Sequence, residues 1–126
     1  MDRLRKRAEF LAAAKGRKFT TASFVLQALP RNDQAPPRLG LTVSKRVGNA
    51  VERNRVRRRL REMARLTAQQ TAKPAMFVGH DYVLVGRRAA LKQTLERMQA
   101  DFLRALREIH EPRRNSARNA AHETTS

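Results

Sequence analysis

The chain has 126 residues, the size of one ordinary domain, of which 40% are hydrophobic and only 5% aromatic, with no Cys and no Trp. Lys and Arg number 28 against 11 Asp and Glu, a formal net charge of +17 that calls for an anionic partner, nucleic acid first and an anionic membrane surface second. The missing cysteines exclude a disulfide framework, the usual zinc finger and a thiol nucleophile; no apolar stretch follows the charged start Met1–Arg7 at signal length or reaches the roughly 18 residues that span a bilayer, so the chain reads as soluble and cytoplasmic.

Residues 4–15 read as a first helix, with Leu4, Ala8, Leu11 and Ala14 at helical spacing and Gly16 as a stop. Residues 20–29, centred on Phe24-Val25-Leu26, read as a strand. Pro30 to Pro37 is a loop. Residues 38–45 then alternate, Leu39, Leu41 and Val43 against Gly40, Thr42 and Ser44, which predicts a half-buried strand in a hairpin with the first. Asn49 is a good N-cap with Glu52 as its capping-box partner, and the helix it opens is expected over 50–66. Residues 67–81 are polar and irregular, and Tyr82-Val83-Leu84-Val85-Gly86 reads as a buried strand. A third helix carries Leu91, Leu95, Met98, Phe102, Leu106 and Ile109 on one stripe. From Glu111 the chain is polar, so residues 1–110 are expected to form a single domain and 111–126 a disordered tail. The order α-β-β-α-β-α predicts an α/β (α+β) two-layer sandwich, helices on one small mixed sheet.

Residues 45–65 hold nine basic residues, Lys45, Arg46, Arg53, Arg55, Arg57, Arg58, Arg59, Arg61 and Arg65, opposed only by Glu52 and Glu62. Val56, Leu60 and Met63 make one narrow apolar stripe, and arginines cover most of the remaining circumference. The pairs Arg53–Arg57, Arg57–Arg61 and Arg61–Arg65 repel at i, i+4, roughly 1 kcal/mol in all. A merely solvated face would mix signs, as the third helix does with Arg97, Asp101, Arg104 and Glu108. Phosphates therefore supply the missing charge. If about six are neutralised, log K falls with log salt at a slope of roughly −4 to −5. No heptad zipper follows Leu66, against a basic-zipper DNA reader, and the stripe lacks Trp or Phe anchors for a membrane surface.

The run Gly40-Leu41-Thr42-Val43-Ser44-Lys45-Arg46-Val47-Gly48-Asn49-Ala50-Val51-Glu52-Arg53-Asn54-Arg55-Val56-Arg57-Arg58-Arg59-Leu60-Arg61-Glu62 closely resembles the signature of the protein subunit of bacterial ribonuclease P, with Arg53-Asn54-Arg55 at its centre. The resemblance extends over about residues 3–108. It implies a protein that binds the catalytic RNA and the 5′ leader of precursor tRNA, promoting endonucleolytic removal of that leader, with catalysis on the RNA subunit. It also implies a left-handed βαβ crossover through the basic helix, a hand that general rules would not suggest. By position, Lys45, Arg46, Arg53, Asn54, Arg55, Arg57, Arg58 and Arg61 are implied to contact the RNA. Phe10, Ala14, Gln27 and Thr42 map to the leader-binding cleft between the first helix and the sheet. Two of these depart from the pattern: Ala14 and Gln27 stand where many or some members carry aromatics, which leaves Phe10 as the base-stacking ring, with Phe19 as a candidate substitute and core packing beside Leu11 as the other reading of Phe10.

No catalytic or metal-binding residue is expected in the chain itself. His80, His110 and His122 lack partners at metal spacing, and His80-Asp81 reads as a cap or turn before a strand. No phosphate-binding glycine loop or carboxylate pair is present. No cofactor bound by the protein alone is expected, and magnesium is expected only in the RNA-containing holoenzyme. The expected partners are the catalytic RNA and precursor tRNA, with no membrane and no protein partner. The alternative is a ribosomal or RNA-chaperone type module that binds RNA without a cleavage role; a protein-only nuclease is disfavoured by the missing carboxylate cluster.

Overall fold

A computed structural model describes residues 2–70 and 76–110. The elements are β1 (Asp2–Arg3), α1 (Arg7–Ala13), β2 (Arg17–Thr20), β3 (Phe24–Pro30), β4 (Arg38–Thr42), α2 (Ala50–Gln70), β5 (His80–Gly86) and α3 (Leu95–Ile109), with short 3-10 turns at Lys45–Val47 and Arg88–Leu91. They form the expected α+β sandwich on a mixed sheet whose strand order is β1-β4-β5-β3-β2.

The alternation of apolar residues decides the layers. Phe24, Leu26 and Ala28 of β3, Tyr82 and Leu84 of β5 and Leu39 of β4 are buried on one face, under Val56, Leu60 and Met63 of α2 and Met98, Phe102, Ala105 and Leu106 of α3. The Phe24 and Phe102 rings meet edge to face at 6.1 Å. On the other face Leu4, Ala13 and Val83 form a smaller cluster with Phe10, Leu29 and Val85, and the seven-residue α1 is the helix packed there.

The expected hairpin between residues 20–29 and 38–45 does not form. β5 lies between these strands, antiparallel to β3 and parallel to β4. Tyr82, Val83 and Leu84 are all essentially inaccessible, so the strand apolar on both faces takes the centre of the sheet. The chain consequently passes from β4 through α2 to β5 as a crossover between parallel neighbours.

The single strand expected over 20–29 is two. Thr21 breaks it: its backbone N–H and its hydroxyl both donate to the Phe24 carbonyl, at 2.8 and 3.0 Å, and its Oγ accepts from Phe24 N at 3.2 Å. β2 pairs antiparallel with β3 across that turn, although Arg17-Lys18-Phe19-Thr20 carries little strand signal of its own. Leu4 lies outside α1, its N–H donating to the Leu39 carbonyl at 3.2 Å beyond β1. α2 runs one turn past the expected 66, to Gln70, and α3 starts at Leu95 because the Thr94 hydroxyl accepts from Arg97 N at 3.1 Å, leaving Leu91 in the 3-10 turn. Part of the segment expected to be irregular (71–75) and the expected tail (111–126) lie outside the described residues.

Candidate RNA interface

The start of α2 is fixed by side chains of the signature itself. Asn49 N donates to Glu52 Oε1 at 3.0 Å, and Glu52 N donates to Asn49 Oδ1 at 2.9 Å, a complete reciprocal cap. The other oxygen of Glu52 takes a 3.0 Å ion pair from Arg88, which also donates to the Val47 carbonyl at 2.6 Å. Arg88, then the Asn49 N–H, hold the Glu52 carboxyl below the usual carboxylate range. Gly48 leaves room for this knot: a Cβ there would overlap the Glu52 carboxylate and approach Arg88 Nη1 to 2.8 Å. The Gly48, Asn49 and Glu52 positions of the signature thus build the frame, and the arginines that follow are displayed by it.

α2 buries Val56, Leu60, Met63, Ala64 and Thr67. Asn54, Arg55, Arg58 and Arg61 are exposed, Arg53 and Arg57 half-buried, and Lys45 and Arg46 exposed on the preceding 3-10 turn. All eight residues implied by the resemblance therefore lie outside the helix's buried stripe. Asn54 Oδ1 accepts a 3.0 Å hydrogen bond from Arg57, so the polar residue within the arginine run orients its neighbour. Both acidic residues of the helix are engaged elsewhere, Glu52 with Arg88 and Glu62 with Arg65 at 2.5 Å. None of the seven implied cations has a carboxylate partner among the described residues. Arg53 Nε is buried and meets no hydrogen-bond partner there. Arg59 behaves differently: its Nε donates to the Ala90 carbonyl at 2.8 Å and its Nη2 to the Gln93 carbonyl, which pins the second 3-10 turn onto α2.

The four residues mapped to the leader-binding cleft lie on the α1 side of the sheet. Strand register aligns Gly40, Val83, Gln27 and Lys18 in one row and Thr42, Val85, Val25 and Thr20 in the next. Phe10 is half-buried with its ring against Gly40, and Ala14 is the half-buried C-cap of α1. Gln27 is only 9% exposed, whereas Thr42 is open. Phe10, Ala14 and Thr42 thus keep accessible surface, and Gln27 is nearly covered.

Two features escaped the sequence reading. A cleft of about 420 Å³ lies between Arg3, Leu4, Phe10, Leu39, Gly40 and Leu41 on one side and Arg61, Ala64, Arg65, Ala68 and Gln69 of α2 on the other. Its lining includes both Arg61 of the basic helix and Phe10 of α1. The second is a set of ion pairs through Glu9, Arg38 and Asp81. Neither has a local signal, because each joins residues of elements far apart in sequence.

Residues 1–110 match the family profile described as Ribonuclease P. A ribonuclease P protein component from Gluconacetobacter diazotrophicus is 48% identical over 106 residues, covering 83% of this chain and 88% of that one. One from Ruegeria pomeroyi is 43% identical over 113 residues, 87% of each chain. Among solved structures, the RNase P protein of Staphylococcus aureus superposes with a TM-score of 0.65 at 27% identity, over 84% of this chain and 93% of that one. That of Thermotoga maritima, at 23% identity, shares the fold with a TM-score of 0.68 over 88% of this chain and 100% of its own. With its signature arginines displayed on one helix and its fold shared with solved relatives, the chain belongs to the ribonuclease P family as a protein component of that tRNA-processing endoribonuclease.

Proposed function

We propose that Lys45, Arg46 and the exposed arginines of α2 dock on the catalytic RNA of ribonuclease P, while the α1 face, through Phe10 and Thr42, holds the single-stranded 5′ leader of precursor tRNA. The observation that carries this reading is the absence of carboxylate partners along the signature arginines among the described residues. Seven cations on one frame, with both nearby carboxylates committed elsewhere, match a row of phosphates. Arg61 and Phe10 wall the same cleft, so one RNA strand leaving the helix reaches the α1 face without crossing the protein. There Phe10 offers a ring for a base, worth about 1–3 kcal/mol.

In this reading the protein supplies binding and no chemistry. Among the described residues no three His, Cys, Asp or Glu side chains are grouped to hold a metal ion. Cleavage and its magnesium belong to the RNA, and the protein raises the rate by holding the leader-bearing substrate. No described helix is long and apolar enough to cross a membrane; we place the protein in the cytoplasm, with its RNA partners. The test is to mix the protein with a bacterial ribonuclease P RNA at low magnesium and time leader release from precursor tRNA, with protein alone and RNA alone as controls. Cleavage only in the mixture supports the reading. RNA binding without cleavage refutes it in favour of a chaperone-type module.

A further inference from the structure

α1 has seven residues, too few to be stable by itself, and Ala13 is its one fully buried side chain. Its position on the sheet must therefore be imposed from outside. Arg38 of β4 does this. Its Nη1 pairs with Glu9 Oε2 of α1 at 2.8 Å. Its Nε and Nη2 grip the two oxygens of Asp81 on β5, at 2.8 and 2.7 Å. Asp81 is only 4% exposed and takes a second arginine, Arg31, at 2.5 Å. Arg31 in turn donates to the carbonyls of His80, Ala35 and Pro36. The other Glu9 oxygen accepts from Arg5 N and Lys6 N, both at 3.0 Å, capping α1.

A buried ion pair is a poor device for stability, because desolvation offsets most of its attraction, but it fixes geometry through its bidentate hydrogen bonds. Here the geometry fixed is that of Phe10, the residue after Glu9. Arg38 and Gly40 are two residues apart on the same face of β4, about 6.6 Å. Clamping Glu9 over Arg38 sets the next side chain of α1 over Gly40, the one position on that strand without a Cβ.

We propose that Arg38, anchored by Asp81, is a positioning residue for the leader: it acts through Glu9 to hold the Phe10 ring on Gly40, and so sets the preference for precursor over mature tRNA. The proposal rests on the reading that Phe10 meets the leader.

The test uses the reconstituted holoenzyme with Arg38→Met, Phe10→Ala and the double variant. Arg38→Met is expected to weaken precursor binding about tenfold, within the value of one base–aromatic stack, with mature tRNA binding, RNA-subunit affinity and the cleavage rate at saturation unchanged. The double variant is expected to lose no more than Phe10→Ala alone. Additive losses would overturn the proposal, as would equal losses for precursor and mature tRNA. If Arg38→Met fails to fold, Glu9→Gln takes its place in the same comparison, since it weakens the same link while keeping an acceptor for the helix cap. A Phe10→Trp reporter separates the two layers. Arg38→Met is expected to shift its emission toward solvent in the free protein, and an unchanged spectrum would sink the positioning role even if Phe10 proves to bind the leader. If the spectrum shifts while Phe10→Ala leaves precursor binding intact, the leader reading fails and the clamp is purely a feature of the fold.

Discussion

The Phe10 ring rests on the bare backbone of Gly40: a Cβ at that position would come within 2.5 Å of Phe10 Cε1 and 2.7 Å of Cζ. The two nearest atoms are the tip of a half-buried side chain, so the ring can swing out, while Leu4 Cβ at 3.1 Å must give by a few tenths of an ångström. Gly40→Ala is therefore expected to fold, with a stability change of about 1 kcal/mol or less, and to shift Phe10 off the sheet. Precursor tRNA binding should weaken by several-fold while mature tRNA binding holds. Parallel titrations of the two RNAs check this; equal affinities to the wild type would mean that the ring's seat on Gly40 does not matter to the leader.

Arg55 and Arg59 differ by four positions in one arginine run and by everything in their surroundings. Arg55 is exposed and has no carboxylate partner among the described residues, whereas Arg59 donates to the carbonyls of Ala90 and Gln93. Arg55→Ala is expected to leave the melting temperature unchanged and to flatten the salt dependence of RNA binding by about one unit of slope, the signature of one lost phosphate contact. Arg59→Ala is expected to cost about 2 kcal/mol of stability, since two partly buried carbonyls lose a charged donor, with the salt slope preserved. Denaturant melts and salt titrations of both variants decide the matter. The reverse pattern would mean that the two arginines have been assigned to the wrong roles.

Asn54 accepts from Arg57 at 3.0 Å and is itself exposed. Its role in this geometry is to aim Arg57. Asn54→Ala is expected to weaken RNA binding by about the value of one hydrogen bond, roughly 1 kcal/mol. Little further loss should follow when Arg57→Ala is added. A double-mutant cycle that came out additive would give Asn54 its own contact with RNA instead.

The helix-forming patterns carried most of the fold because their causes are local. Asn49 and Glu52 cap α2 as their spacing foretells, and the stripe Val56, Leu60, Met63 is its buried side. Strand neighbours were not legible in the same way. Leu39, Leu41 and Phe24, Leu26 alternate as strands do, but nothing in that alternation says that residues 80–86 insert between them. That choice belongs to the competition for the doubly buried centre, which β5 wins over the whole chain. The site divides along the same line. The arginine run stands in one stretch of sequence, and its excess of one sign is visible there. Which arginines are committed within the protein depends on remote carbonyls and carboxylates: Ala90 and Gln93 for Arg59, Asp81 and Glu9 for Arg38. Asp81, which with His80 reads as a cap or turn, is the buried anchor of the α1 clamp for the same reason.

His110, at the end of α3, is expected to make stability depend on pH between 6.5 and about 4. Tyr82 Oη and His110 Nε2 are 2.6 Å apart, and Phe77 stacks on the imidazole at 3.9 Å between centroids. Phe77 N already donates to the Tyr82 oxygen at 2.8 Å, so the hydroxyl proton is free to point at an unprotonated Nε2. Burial first, then His80 and Arg17, push the His110 pKa down from 6.5 to about 4. The unfolded chain therefore takes up this proton before the folded one does. The contribution to stability is complete above pH 6.5, falls as pH drops toward 4, and is constant below that. Glu9, held near 2 chiefly by the Lys6 and Arg5 N–H groups, loses its contribution later, as pH falls from 4.5 toward 2. Urea melts at pH 7, 6 and 5 are thus expected to show declining midpoints in the wild type. They should be nearly level in His110→Phe, which keeps the stacking and removes the titration. A slope that survives the substitution would assign the effect to another group and leave the Tyr82–His110 hydrogen bond as a packing detail.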